Sequence, residues 1–183
     1  MWTQAHTNFD GKYYKVMGGV NFPKPLQKPH PPIMLGGFRK PIIELAARQA
    51  DIVNLVPPGR SDMGQLNYDA ARFKTKLAEL KNHVRAAGRD PRAIELSTFS
   101  FVLIARDKRE TDAMLNSVAD SVGFASAQVL QSPMVLAGTP TELRGLIRHW
   151  IEELGTTFFC CVFLNRSSMK LFAEQVMPEF AAG

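Results

Sequence analysis

The sequence predicts an α/β protein built around a parallel β-sheet, and three observations support this fold class. Short apolar runs alternate with amphipathic helical patterns along most of the chain, which is typical of parallel α/β folds. The segment Pro31–Val56 has the pattern of strand, glycine turn, helix and strand, a compact unit whose two strands are expected to run parallel. The strand pattern at Ile94–Ala105 ends in a continuous apolar run, as in strands that are buried on both faces. Together these patterns give four strands, half the number in an eight-stranded parallel barrel.

The composition is that of an ordinary globular domain. The chain has 183 residues, of which 45% are hydrophobic and 21% charged, enough for one domain with a substantial core. The net charge of +5 is mild and the basic residues are scattered, so the sequence lacks the concentrated basic stripe of a nucleic-acid-binding protein. Binding of an anionic cofactor would account for the basic excess, and so would simple solubility.

The apolar runs and the cysteines exclude several other classes. The run Phe158–Leu164 is far too short to cross a bilayer, and residues 1–15 contain no apolar stretch of signal-peptide length. Cys160 and Cys161 are adjacent and therefore point to opposite faces of a strand, so they supply neither a disulfide framework nor a zinc site. We expect a cytoplasmic protein with a small-molecule substrate, no nucleic-acid partner and no membrane association.

The first 32 residues are predicted to form a lead-in or insertion segment, and residues 33–183 the α/β unit. Asp10-Gly11 is a turn signal that follows Phe9, which indicates a small hairpin or an ordered loop. Six prolines between Pro23 and Pro41 favour extended backbone. We interpret this run as a rigid surface connector rather than as a ligand for a proline-binding partner.

The first strand–helix–strand unit comes next. Ile33–Leu35 is a short apolar run that predicts a buried strand. The Gly36-Gly37 pair ends this strand with a turn that needs no Cβ atom, and Pro41 marks the beginning of a helix. A second apolar run, Ile52–Val56, predicts the second strand.

Strand and helix patterns continue to alternate through the rest of the chain. A capping box formed by Thr139 and Glu142, with Pro140 at the first helical position, makes Gly138–Leu154 the clearest helix. Gly123–Ala137 fits neither pattern and is left unassigned. The other predicted elements are the loop Val56–Gly64, the strands Ile94–Ala105 and Thr156–Leu164, and the helices Asn67–Ala87, Thr111–Val122 and Ser168–Val176.

Five short motifs carry a resemblance to a known family. They are FDGKYYKV at Phe9–Val16, PPIMLGG at Pro31–Gly37, ELAARQAD at Glu44–Asp51, IVNL at Ile52–Leu55, and Gly138-Thr139-Pro140 before a helix. In these motifs the chain resembles the luciferase-like flavin- and deazaflavin-dependent oxidoreductases. The resemblance covers nearly the whole chain, but only the C-terminal half of the family's TIM (β/α)8 barrel. Within the family, the arrangement is most similar to the branch that uses the deazaflavin coenzyme F420.

The resemblance implies hydride transfer between coenzyme F420 (8-hydroxy-5-deazaflavin) and an unidentified organic substrate, with this chain holding the cofactor's phosphate tail. The residues implied at the phosphate are Gly36, Gly37, Phe38 and Arg39. The residue pattern also favours a phosphate site, because a glycine turn at a helix N-terminus offers backbone N–H groups to a phosphate. The alternative is a tight turn that requires glycine only for its backbone conformation. The family commonly has small residues where Phe38 and Arg39 stand, so contact by the Arg39 side chain and contact by the backbone alone both stay open.

Substrate contacts are expected at the carboxyl ends of the parallel strands, where α/β proteins bind their ligands. The candidates are Asn54, Arg60, Arg106 and Arg166, since arginine suits bidentate recognition of phosphate or carboxylate. Solvated loop charges, and core packing for Asn54, are the alternatives. The catalytic residues are unknown, because the first half of the barrel supplies most groups near the hydride-transfer carbon in the resembled family. The sequence contains no metal-ligand spacing, Ser-His-Asp order or P-loop.

Two further functions and an assembly state follow from the same patterns. One alternative is a luciferase-like monooxygenase that depends on FMN, and the other is a truncated relative that acts as a scaffold or has no activity. Four parallel strands cannot close a barrel, so the first and last strands would have open edges, and helices would cover only one face of the sheet. Because open apolar edges favour association, we expect a homodimer or association with a half-barrel that supplies the missing strands.

Overall fold

The computed structural model describes residues 1–55, 70–123 and 125–181. The chain divides into two compact units, Met1–Ile33 and Met34–Gly183. In the described part of the chain, no helix has both the length and the apolar character that crossing a bilayer requires.

The smaller unit is built on an antiparallel hairpin of strands β1 (Thr7–Asp10) and β2 (Lys15–Gly19). The Gly11 N–H donates to the Tyr14 carbonyl at 2.9 Å and closes the turn between them. The hairpin that the turn signal at Asp10 predicted is therefore confirmed.

The larger unit is a parallel sheet with flanking helices. Its strands are β3 (Met34–Gly36), β4 (Ile52–Asn54), β5 (Glu95–Ile104), β6 (Val135–Gly138) and β7 (Thr156–Phe163). Its described helices are α1 (Lys40–Gln49), α2 (Ala70–Ala86), α3 (Lys108–Val122), α4 (Ser126–Val129), α5 (Pro140–Leu154) and α6 (Arg166–Gln175). The four predicted strands are confirmed, and β6 is an additional short strand in the segment that the sequence left unassigned. The predicted loop Val56–Gly64 lies outside the described residues, as do positions 67–69 of the predicted second helix.

Strand β5 is the centre of the sheet, because it pairs in parallel with three other strands. Its residues Glu95–Ser97 pair with β4, Leu96–Val102 with β7, and Phe101–Ile104 with β6. Since the β7 pairing overlaps both of the others, β7 lies along one edge of β5, and β4 and β6 share the opposite edge. β3 pairs with β4 alone. Among the described strands, β3, β6 and β7 each pair on one side only and therefore have an open edge.

The main hydrophobic core lies between the sheet and helices α1, α2, α5 and α6. Helix α2 contributes Phe73, Leu77, Leu80 and Val84, and helix α5 contributes Leu143, Ile147, Trp150 and Leu154, all of them buried. These are the apolar stripes that the three- and four-residue spacing predicts. On the sheet side, Val53, Leu96 and Val102 point into the same cluster.

A second, smaller core lies on the other face of the sheet. Leu103 packs with Leu115 and Ala119 of α3, Val129 of α4 and Val135 of β6. Its chain neighbours Val102 and Ile104 belong to the main core, and successive strand residues point to opposite faces. The expectation that helices cover only one face is therefore wrong at this end of β5, because α3 and α4 fold back over the other face there.

One end of each of two helices is fixed by specific hydrogen bonds. At the beginning of α5, the Thr139 N–H donates to Glu142 Oε2 at 2.8 Å and the Glu142 N–H donates to Thr139 Oγ1 at 3.5 Å, so the predicted capping box is confirmed. The Thr139 hydroxyl also donates to Glu142 Oε2 at 2.8 Å, and the two bonds that Oε2 accepts, the backbone one foremost, lower the pKa of the Glu142 carboxyl. At the end of α1, the half-buried Arg89 guanidinium donates to the Ala47 carbonyl at 3.0 Å and to the Ala50 carbonyl at 2.7 Å. A cation at this position also complements the helix dipole.

Removing the Arg89 guanidinium should destabilise the fold. Charge-assisted hydrogen bonds to otherwise unpaired helix carbonyls are worth about 1.5–3 kcal/mol, and we expect Arg89→Met to lower the free energy of unfolding by about 1–2 kcal/mol after allowing for partial exposure. Urea denaturation followed by circular dichroism measures this change. Lys81→Met, an exposed site on α2, is the matched control and should stay within about 0.5 kcal/mol of wild type. Equal losses for both variants would show that the Arg89 contacts add nothing.

The glycine turn yields a second stability prediction. Gly37 has a φ of +149°, and a Cβ there would lie 2.9 Å from Ile42 Cγ2, so Gly37→Ala combines backbone strain with a steric clash. We expect it to cost about 1–3 kcal/mol. At Gly36 a Cβ would meet Asn54 only at 3.7–3.8 Å, an ordinary contact, so Gly36→Ala should unfold close to the wild-type midpoint. Thermal unfolding of the two variants tests the contrast, and a Gly37→Ala protein as stable as Gly36→Ala would contradict it.

Candidate functional site

The strongest candidate site lies where β3 ends and α1 begins. Gly36 is the last residue of β3 and pairs with Asn54 at the end of β4. The Gly37 N–H donates to the Asn54 carbonyl at 3.0 Å, so this N–H, which belongs to the predicted phosphate site, extends the sheet instead of pointing at a ligand. Because α1 begins at Lys40, the N–H groups of Arg39 and Lys40 come before any acceptor within the helix.

Positive charge is concentrated at this helix N-terminus. Arg39 is the N-cap residue, and its side chain makes no capping hydrogen bond and is exposed. The Lys40 ammonium is also exposed and lies 3.9 Å from Glu44 Oε1. The first turn of α1 contains no acidic residue. Together with the positive end of the helix dipole, these two cations make the turn a favourable place for an anion.

The side chain of Phe38 anchors the turn and brings in a cation that sequence reasoning missed. Phe38 packs against the main core, and the Lys76 ammonium of α2 lies 5.2 Å from the centre of its ring, within cation–π range. Lys76 also pairs with Glu79 at 2.7 Å. In the sequence, Lys76 looks like any surface lysine of an amphipathic helix, and only the packing of α2 against α1 places it beside the turn.

The predicted substrate residues do not form one cluster. Asn54 lies next to the glycine turn and is 6% exposed. Arg106 follows β5 and lines a different cavity of about 460 Å³, together with Asn165 and Lys170. Arg166 is the exposed first residue of α6 and is not among the residues that line this cavity. Arg60 lies outside the described residues.

Two more polar residues surround Asn54, and neither was predicted as a site residue. Asn54 Nδ2 donates to Ser97 Oγ at 3.0 Å, and Cys160 Sγ lies 3.5 Å from the same hydroxyl. Cys161, on the opposite face of β7, is partly buried against the main core, and this burial raises its pKa to about 11. The alternation of residues along a strand predicts which side chains share a face, but the sequence alone does not show which residues of separate strands become neighbours.

Comparison with known proteins gives a family and a fold. The model of the family "Luciferase-like monooxygenase" matches residues 1–133. Over 110 residues the chain is 31% identical to the FMNH2-dependent dimethylsulfone monooxygenase of Pseudomonas putida, a match that covers 60% of this chain and 26% of that protein.

Two solved structures share the fold at low sequence identity. The coenzyme F420-dependent tetrahydromethanopterin reductase of Methanopyrus kandleri superposes with a TM-score of 0.71 at 14% identity, over 98% of this chain and 60% of that chain. A riboflavin lyase solved with modified FMN and riboflavin superposes with a TM-score of 0.70 at 15% identity, over 96% of this chain and 48% of that chain.

Each of these matches covers only part of the related protein. The chain spans about a quarter of the length of the curated relative and about half the length of the two solved enzymes. This agrees with the predicted fold class, an α/β unit corresponding to half of a luciferase-like barrel. Since the family model matches well over half of the chain, the chain belongs to the luciferase-like monooxygenase family.

Proposed function

We propose that this chain is the cofactor-phosphate half of a luciferase-like oxidoreductase, one that transfers hydride between coenzyme F420 and a small organic substrate. The observation that carries the proposal is the cationic N-terminus of α1, where Arg39 and Lys40 follow a glycine turn and the first helical turn contains no acidic residue. Family membership and the likeness to an F420-dependent reductase support it. In the same proposal, residues 1–32 form a lead-in or insertion segment, residues 33–183 form the half-barrel, and the protein is cytoplasmic.

The residues of the turn have different roles in binding the phosphate. The N–H groups of Arg39 and Lys40 and the two side chains would hold the phosphate. Gly36 leaves the approach open, Gly37 sets the direction of the chain into α1, and Phe38 ties the turn to the core. When bound, the cofactor supplies the hydride chemistry. Asn54, Arg60, Arg106 and Arg166 are proposed substrate contacts.

An FMN-dependent monooxygenase is the second candidate, and a specific observation favours it. The relative with 31% identity is named for its dependence on FMNH2. Absorbance titration of the purified chain with F420 and with FMN distinguishes the two candidates. Tighter binding of F420 supports the first, tighter binding of FMN supports the second, and binding of neither supports a relative that has no cofactor.

Replacing Arg39 tests the phosphate site. We expect Arg39→Ala to weaken binding of FMN or F420 about tenfold and to leave riboflavin, or the phosphate-free riboside of F420, nearly unaffected. The difference should shrink as salt is added, because Arg39 is exposed. Arg48→Ala, at the opposite end of α1, is the matched control and should change neither affinity. Equal losses for phosphorylated and phosphate-free ligands would show that Arg39 has a structural role.

The edges of the sheet support the proposed association. β7 pairs with β5 alone among the described strands, and its Phe158 is 40% exposed. We propose that two chains associate through such edges, or that the chain associates with a half-barrel that supplies the missing strands.

Light scattering at micromolar concentration tests association of the pure chain. We expect a mass well above the 20.4 kDa of one chain. A charge on an edge strand opposes strand pairing, so Phe158→Lys should lower the mass. Leu45→Lys, at a site of similar exposure on α1, should not. A wild-type chain that stays monomeric would refute the self-association.

A further inference from the structure

Three polar side chains from three strands meet on the sheet face opposite the main core. Asn54 of β4 donates from Nδ2 to Ser97 Oγ of β5 at 3.0 Å. Cys160 Sγ of β7 lies 3.5 Å from that hydroxyl and 3.8 Å from Asn54 Nδ2. Val53 and Leu55, the neighbours of Asn54, both belong to the main core, so the Asn54 side chain points to the other face.

The amide oxygen of Asn54 has no hydrogen-bond donor. Asn54 is 6% exposed, and its Oδ1 atom is buried without a partner among the described residues. Buried polar atoms in folded proteins are nearly always paired, and an unpaired acceptor is destabilising. Exchanging the amide oxygen and nitrogen does not help, because two N–H donors would then be unpaired in place of one acceptor.

The surroundings of Asn54 have the character of a small-molecule site. At the paired position of β3 stands Gly36, so β3 places no side chain beside Asn54, and a glycine within a strand often marks the close approach of a ligand. On β5 and β7, the register places Phe158 beside Ser97 and Phe99 beside Cys160. A largely apolar, aromatic surface with one fixed polar atom is the usual composition of a pocket for an organic ring.

We propose that Asn54 Oδ1 accepts a hydrogen bond from an N–H or O–H group on the planar ring of a bound small molecule. Ser97 and Cys160 are positioning residues, because their contacts with Nδ2 turn the amide oxygen toward the ligand. The inference rests on the proposed function, since the ring is that of the cofactor or that of the substrate. It goes further by naming the accepting atom and the two residues that orient it.

Ring compounds without phosphate test this site independently of Arg39. Lumiflavin has one ring N–H and its N-methylated analogue has none, and phenol and anisole form the corresponding pair for a substrate-like ring. Titration of the whole chain, followed through the NMR signals of the Asn54 side-chain amide, gives the dissociation constants. We expect the donor-bearing member of at least one pair to bind about threefold to tenfold more tightly. A preference in the lumiflavin pair assigns the donor to the cofactor ring, and one in the phenol pair assigns it to the substrate.

Three variants connect this preference to the proposed residues. Asn54→Val removes the acceptor, and the preference, followed through the backbone signals, should disappear. Ser97→Ala frees the amide to rotate and should reduce it, whereas Thr98→Val, on the other face of the same strand, should leave it unchanged. Gly36→Ala fills the space beside Asn54 and should weaken binding of both members of a pair by at least about threefold.

Four results would overturn the proposal. They are the absence of binding by every probe, equal affinities within both pairs, a preference that survives in folded Asn54→Val, and, should that variant not fold, unchanged affinities in Gly36→Ala. Arg39→Ala is expected to leave all four phosphate-free probes unaffected. A failure at Asn54 therefore leaves the phosphate site standing, and a failure at Arg39 leaves the ring site standing.

Discussion

The pairing of β5 with three other strands is the constraint on which the larger unit depends. Its first half joins β4 and its second half joins β6 along one edge, while β7 runs along the other. A strand in this position must bury side chains on both faces, and β5 does so: Val102 enters the main core and Leu103 enters the smaller one. The sheet positions the helices, and the helix that carries the candidate phosphate site is held at both ends, by the Gly37–Asn54 hydrogen bond and by Arg89.

Elements with strong local signals were predictable from the sequence. The capping box at Thr139, the stripe around Phe73 and the apolar run of β5 each depend on residues close together in the chain, and the structure contains all three. Strand β6 was missed because the segment that contains most of it fits neither a strand nor a helix pattern, and its pairing with Phe101–Ile104 is a tertiary contact. The lack of a local signal also explains why the sequence did not place α3 and α4 over the second face of the sheet. The apolar stripe of α3 would fit either face, so nothing in its sequence shows which face it covers.

The candidate site was predictable to a similar degree. Its place in the fold follows from glycine at a strand end and proline at a helix start, both local features. The hydrogen bond from the Gly37 N–H to the Asn54 carbonyl depends on the register between β3 and β4. The positions of Lys76 beside Phe38 and of Cys160 beside Ser97 depend on how distant segments pack. Residues brought together by strand register or by helix packing carry no signal in a single sequence.

The pairing of β3 with β4 and the pairing of β5 with β7 differ in the chain entropy that is lost when each one forms. Met34 and Ile52, partners in the first strand–helix–strand unit, are 18 positions apart, whereas Leu96 and Thr156, which join β5 to β7, are 60 positions apart. Closing the longer loop costs about 1 kcal/mol more in chain entropy. The ordering of the glycine turn therefore needs only a short-range closure, while the cluster of Asn54, Ser97 and Cys160 is completed only after a long one. One site can thus form from local chain geometry alone, and the other is a product of the finished topology.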